Sequence, residues 1–196
     1  MSNVRVKKRN GSIEPMNLEK MHVMVERACS DLAGVSASQV EMQSGIQFYN
    51  GITTDEIQGI LIKSASDLIS LEQPNYQYVA ARLLLFSLRK SLYGKIYEIP
   101  HLKDHIDKCV ENGVYDPVVN DKFTVGEINE IEKFLDHDRD YLFTYAGLRQ
   151  VADKYLVQAR SSGQVYETPQ FMYMLIAMSM FAEYDRGSRL NYIKRY

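Results

Sequence analysis

The chain has 196 residues, 45% of them hydrophobic and 24% charged, with a net charge of −2. This is the profile of a soluble globular protein of one or two domains with a substantial core. The near-neutral balance gives no global reason to expect nucleic acid as a partner, so any anion site has to be local. Cys29 and Cys109 are far apart and lack CxxC spacing, which argues against a disulfide framework or a zinc site and fits an intracellular, reducing compartment, with a cytoplasmic location. Cys29 sits on an apolar helical pattern and reads as a core residue.

The first residues, "MSNVRVKKRNGS", carry no apolar stretch of a secretory signal. The longest apolar segment, "FMYMLIAMSMFA" at 171–182, falls well short of the roughly 20 residues a membrane span needs. It reads as a buried core helix, and no membrane association is expected.

In chain order, residues 4–7 alternate as a short strand. Asn10-Gly11 is a strong hairpin signal because both residues tolerate positive φ, and "SIEP" returns as a second strand stopped by Pro15. Asn17 is a good N-cap for a helix with Leu18, Met21, Met24, Val25 and Ala28 on one face, closed by Gly34. A second helix runs from Ser36 or Ser38 to Asn50-Gly51. Thr53 and Glu56 make a capping box for a third, whose expected buried stripe is Ile57, Ile60, Leu61, Ala65 and Leu68. After Pro74 a long helix ends near Arg89-Lys90, and the pattern loosens around 95–100.

That loosening sets expected domains at 1–95 and 96–196. The second half reads as helices at about 101–112, 126–136 and 142–154, with "NGVYDPVVNDK" as a loop. A hairpin-like "YLVQARSSGQVYE" precedes the apolar helix from about 168. The expected fold class is mainly α: a short N-terminal β-hairpin capping four helices, then a second mostly helical segment with a small hairpin.

A cationic hairpin tip beside a helix N-terminus is an anion site in outline, because backbone N–H groups and the helix dipole favour negative charge there. Lys7, Lys8 and Arg9 lie on the hairpin, Asn17 at the cap and Lys20 one turn in. Thr53-Thr54 open another helix, and Arg89-Lys90 offer further cations. Each residue also has a plain role as a solvated charge or a cap, and neither GxxxxGK[ST] nor GxGxxG is present. No catalytic or metal constellation emerges. His101 and His105 are spaced i,i+4 without a third ligand, "DHDRD" at 136–140 reads as a solvated loop or helix start, and Tyr141, Phe143, Tyr145, Tyr173 and Phe181 read as core aromatics.

The segments "VKKRNGSIEPMNLEKM", "GITTDEIQ" and "PNYQYVAARLLLFSLRK" resemble the ATP-cone of the class I ribonucleotide reductase large subunit. "FLDHDRDYLFTYAGLRQVADKYLVQ", "GQVYETPQFMYMLIAMSMFA" and "RLNYIKRY" resemble the helical region that follows it. The resemblance implies ATP as activator and dATP as inhibitor, with Mg²⁺ accompanying the nucleotide. Carried over by position, Lys8 and Arg9 would contact the triphosphate. Glu14, Asn17, Lys20 and Met21, within the run that includes Pro15, Met16, Leu18 and Glu19, would shape the nucleoside side. Thr54, Ile57, Gln58 and Lys90 would complete the pocket. Glu56 matches an acidic position that relays dATP inhibition. Gln58 and Ser87 stand where many relatives carry histidines.

The resemblance further implies that the reducing cysteines belong to a barrel. Neither Cys29 nor Cys109 matches a catalytic position, so no catalytic residue or catalytic cofactor is expected in this chain and it would not reduce nucleotides alone. The implied partners are the remainder of the large subunit and the radical-bearing small subunit. An alternative is a stand-alone or degenerate cone serving as a nucleotide sensor or protein-interaction module. A zinc-ribbon repressor carrying a cone would need four zinc-binding cysteines and a basic DNA face, and neither is in the sequence.

Overall fold

The N-terminal residues form the strands that the Asn-Gly turn demands. The computed structural model describes residues 4–159 and 161–196. Residues 1–3, and Arg160 in the expected later hairpin, lie outside the described residues. Strands β1 (Arg5–Lys7) and β2 (Ile13–Pro15) pair antiparallel, with Val6 opposite Glu14. The turn between them places Gly11 at φ +85°, a backbone conformation that side chains with a Cβ rarely adopt. The Asn10 side chain accepts from both the N–H and the hydroxyl of Ser12.

A third strand was not anticipated. Strand β3 (Ile52–Thr53) pairs parallel to β1, with Lys7 opposite Thr53, so the sheet order is β2-β1-β3. Ile52 and Thr53, the second of them already the first residue of the capping box, carry no alternation of their own, and the sequence there reads only as a helix start. Long-range pairing with β1 makes them a strand.

Helices α1 (Leu18–Cys29), α2 (Ala37–Gly45), α3 (Thr54–Asp67) and α4 (Tyr76–Tyr93) follow. The chain divides into two units. One comprises the described residues up to Ser87 together with Tyr141–Arg149, and the other comprises Leu88–Asp140 and Gln150–Tyr196. In the first, Val6, Val25, Ala28, Val40, Ile52, Leu61, Ala65, Val79 and Leu83 form the interior. The expected apolar stripe on α3 is turned from its predicted position. Leu61 and Ala65 are buried, but so are Gln58 and Ser64, whereas Ile57, Ile60 and Leu68 are half-buried. On α1 the apolar face is buried only from Met24 onward, and Leu18 is 43% exposed. Cys29, expected in the core, is half-buried, and the partial burial pushes its thiol up to about 11.

The second unit contains α5 (Leu102–Glu111), α6 (Val118–Lys122) and α7 (Val125–Glu132). Parts of a 3₁₀ turn (His137–Leu142) and of α8 (Tyr145–Lys154) also belong to it. The small hairpin β4 (Gln158–Ala159) and β5 (Gln164–Val165) precedes α9 (Pro169–Phe181) and α10 (Arg186–Arg195). Its core gathers Leu102, Ile106, Phe123, Ile128, Ile131, Phe171, Ala177, Met178 and Ile193. Helix α6 lies inside the stretch expected to be a loop. The Asp116 carboxylate accepts from Val118 N–H at 2.9 Å and starts that turn.

Polar groups tie this unit together. Glu127 is 1% exposed. Its carboxylate accepts from the amide and hydroxyl of Thr124 at 3.0 and 2.9 Å, and from Arg189 Nε at 3.0 Å. The segment 136–140, expected to be solvated, is not uniformly so. Asp140 is 1% exposed and pairs with Arg89 at 3.3 Å, and Arg89 Nη2 also donates to the His137 carbonyl at 2.7 Å. Tyr173, expected in the core, is 40% exposed. Its position on α9 falls between the buried Met172 and Met174, and an all-apolar helix gives no periodicity from which to tell its outer face.

Candidate functional site

The cationic hairpin tip and the start of α3 meet within the first unit. Lys8 is half-buried, and its Nζ lies 3.5 Å from Glu14 on the facing strand. Arg9 reaches across to α3, where Nε and Nη2 donate to one carboxylate oxygen of Asp55 at 3.0 and 2.6 Å. The register of β1 against β3 brings Lys7 beside Thr53, the N-cap of α3. Arg9 and the β1–β3 register thus bring the hairpin tip to the N-terminal end of α3. That is the arrangement an anion favours.

The cap of α3 is fully built. Thr53 Oγ1 accepts from Glu56 N–H at 3.1 Å, and the Glu56 carboxylate accepts from the Thr53 amide and hydroxyl at 2.8 and 2.7 Å. Tyr49 adds a third donor at 2.8 Å. The Thr53 amide and hydroxyl, and then the Tyr49 hydroxyl, hold the Glu56 carboxyl below the usual carboxylate range. Thr54, the first residue of α3, is half-buried, as is Ile57 one turn on.

The remaining expected residues fall on and around α1. Asn17 is the N-cap, and its side-chain Oδ1 accepts from Lys20 N–H at 2.8 Å. Pro15 ends β2, and Met16 N–H donates to the Val4 carbonyl at 2.9 Å, continuing the hairpin into the cap. Leu18, Glu19 and Lys20 are exposed, and Met21 is half-buried. Gln58, on the inner side of α3, is 6% exposed. Its Nε2 donates to the Met24 sulfur at 3.1 Å, and its Oε1 has no partner among the described residues. A buried carbonyl oxygen without a donor is a place for water or a ligand donor.

Lys90 is half-buried near the end of α4 and belongs to the second unit, as does Arg89. Arg89 is one of the further cations expected near the end of this helix. Its burial against Asp140 corrects that expectation, because its guanidinium already serves an internal carboxylate. Sequence reasoning also missed Asp55, which looks like an ordinary acidic residue in a helix's first turn. The available signal was its adjacency to the capping box, and only the β1–β3 pairing reveals that Arg9 can reach it.

The second unit's histidines serve its interior or its surface. His101 is exposed and its Nδ1 lies 2.8 Å from Glu132. His105 is 3% exposed, stacks on Phe171 and lies 3.0 Å from the Tyr115 hydroxyl, which donates to Glu167. Burial pushes both His105 and His137 down to about 4. Among the described residues no three His, Cys, Asp or Glu side chains are placed to hold a metal ion.

Comparison with known proteins matches the sequence to two families. The family described as ATP cone domain matches residues 4–91, and the one described as ribonucleotide reductase, all-alpha domain, matches residues 141–196. The chain carries an ATP cone and a ribonucleotide reductase all-alpha domain. The chain is 48% identical over 194 residues to ribonucleoside-diphosphate reductase 1 subunit alpha of Escherichia coli (strain K12), covering 99% of this chain and 25% of that protein. The corresponding Salmonella typhimurium subunit is 47% identical over 97% of this chain and 25% of its own length. The alpha subunit of Enterobacteria phage T4 is 45% identical over 83% of this chain and 22% of its own length. The chain therefore corresponds to the N-terminal region of such alpha subunits and spans about a quarter of their length. The hairpin, the capped α1 and the capped α3 all lie inside the ATP cone match.

Proposed function

We propose that this chain is the allosteric region of a ribonucleoside-diphosphate reductase large subunit, binding ATP as activator and dATP as inhibitor. Residues 1–95 form the regulatory domain in this reading, and 96–196 the helical lead-in to the catalytic part. Lys8 and Arg9 hold the triphosphate, with Thr54 at the head of α3 as a further phosphate contact. Glu14 to Met21 and Ile57 enclose the nucleoside, with Gln58 supplying a hydrogen bond. Glu56 relays the inhibitory state. Mg²⁺ accompanies the phosphates. The observation that carries the reading is the meeting of the hairpin cations with the first turn of α3, through Arg9 and Asp55, inside a region matched as an ATP cone. The unpartnered Gln58 Oε1 is a second support.

Catalysis in this reading belongs to polypeptide outside these residues, with the barrel portion and the radical-bearing small subunit as partners. Tyr173, Ile176 and Met180 on α9 leave apolar surface exposed, which suits packing against such a portion. Calorimetric titration with ATP and dATP tests the effector site. Heat is expected with both nucleotides, and Lys8→Ala weakens binding by about tenfold or more, the worth of a charge-assisted hydrogen bond. Absence of both heat and thermal shift with either nucleotide refutes the site and favours the interaction-module alternative.

A further inference from the structure

We infer that Asp55 is a built-in competitor for the effector's phosphates: it occupies Arg9 in the ligand-free protein and weakens effector binding. The inference rests on the proposal that a triphosphate binds at Lys8 and Arg9. Asp55 lies in the first turn of α3, where the helix dipole already favours an anion. Its neighbour Glu56 accepts from Thr53 and Tyr49. Asp55 is the acid that reaches the hairpin, and one of its oxygens takes both Nε and Nη2 of Arg9. A phosphate arriving at the hairpin needs the same guanidinium donors and the same helix end. It has to displace a carboxylate that satisfies them.

Both partners are solvent-accessible, with side chains 38% and 62% exposed, so the pair is weak and exchangeable. A phosphate group carries more charge and more acceptor oxygens than a carboxylate and wins the exchange at a cost. Asp55 thereby sets the effector concentration at which the cone fills. Lys8 is matched in the same way by Glu14 at 3.5 Å, but Glu14 already has a proposed place beside the nucleoside. Asp55 has no other assigned role.

The test is calorimetric titration of the 196-residue chain with ATP, for wild type, Asp55→Asn, Asp55→Glu, Arg9→Ala and the Arg9→Ala/Asp55→Asn pair, with Lys8→Ala as the control for the pocket. Asp55→Asn is expected to bind ATP about two- to fivefold more tightly, the worth of an exposed ion pair. Asp55→Glu is expected to stay at the wild-type affinity, and the gain is expected to vanish in the Arg9→Ala background. Damage to the fold lowers affinity, so a gain cannot arise from misfolding. Unchanged or weaker binding in Asp55→Asn with an unchanged unfolding midpoint overturns the inference, as does a gain that persists without Arg9. If wild type fails to bind ATP, or Lys8→Ala binds as well as wild type, the pocket itself is refuted and the inference falls with it. Failure of Asp55→Asn alone leaves the pocket standing.

Discussion

Replacing Glu127 by alanine removes a carboxylate shared by Thr124, Arg189 and, at 3.5 Å, the exposed Arg186. Thr124 loses the acceptor for both its amide and its hydroxyl, so α7 loses its capping box, and such caps are worth about 1 kcal/mol. Arg189, 11% exposed in its side chain, loses the partner that ties α10 to α7. Breaking a buried pair costs about 3–5 kcal/mol. The guanidinium here keeps some solvent, the Ala182 carbonyl at 3.2 Å and the face of Phe123, so the lower end applies. The sum is about 3–4 kcal/mol, a large share of the roughly 5–15 kcal/mol that holds a domain together.

Urea unfolding followed by far-UV circular dichroism and tyrosine fluorescence reads this loss, the chain having 14 tyrosines and no tryptophan. The midpoint should fall by about 1–3 M. Burial raises the Glu127 pKa, but the Thr124 amide, Arg189 and the Thr124 hydroxyl outweigh it and leave the group below the usual carboxylate range. A depressed carboxyl stabilises the fold above its unfolded pKa and loses that contribution as pH falls. Wild type should therefore lose more stability than Glu127→Ala as pH drops below about 4.5. A cost under about 1 kcal/mol at pH 7 would refute the assignment of this pair as the tie between α7 and α10.

Two smaller predictions concern caps and protons. Thr53→Ala removes the hydroxyl that caps α3 and should cost about 1 kcal/mol, seen as a lower thermal midpoint; an unchanged midpoint would show that the capping box does not hold that helix end. His105, held near 4 by burial against an unfolded value of about 6.5, stabilises the fold above the unfolded pKa and withdraws that stability as pH falls toward 4. At pH 5 the loss is about 2 kcal/mol for His105, and less for His137, which is only half-buried. His105→Gln should lose less stability than wild type between pH 7 and pH 5, and equal losses would contradict the burial argument.

Local signals located most of the regular structure. Asn10-Gly11, the Asn17 cap and the Thr53–Glu56 box each act over three or four residues, so they are readable from the chain and are present as read. What the sequence concealed depended on distant partners. Strand β3 exists because β1 lies beside it, and the burial of Asp140 follows from Arg89, 51 residues earlier. The turned stripe of α3, with Gln58 inside and Ile57 half out, reflects packing that periodicity alone did not resolve. For the candidate site, the hairpin cations were visible as charges. The counter-charge of Arg9 was not, because Asp55 lies 46 positions away and becomes its neighbour only when the intervening chain folds back.

The central place of β1 in its sheet also sets an order of events. Its pairing with β2 spans one tight turn and can form within microseconds. Its pairing with β3 joins Val6 to Ile52 and closes a loop that contains all of α1 and α2. Contacts so far apart in sequence form only after the loop-closure entropy between them has been overcome, usually by prior helix packing. The hairpin is thus an early, local product. The alignment of its cations with α3 comes late, so a chain caught midway in folding has the charges without the site.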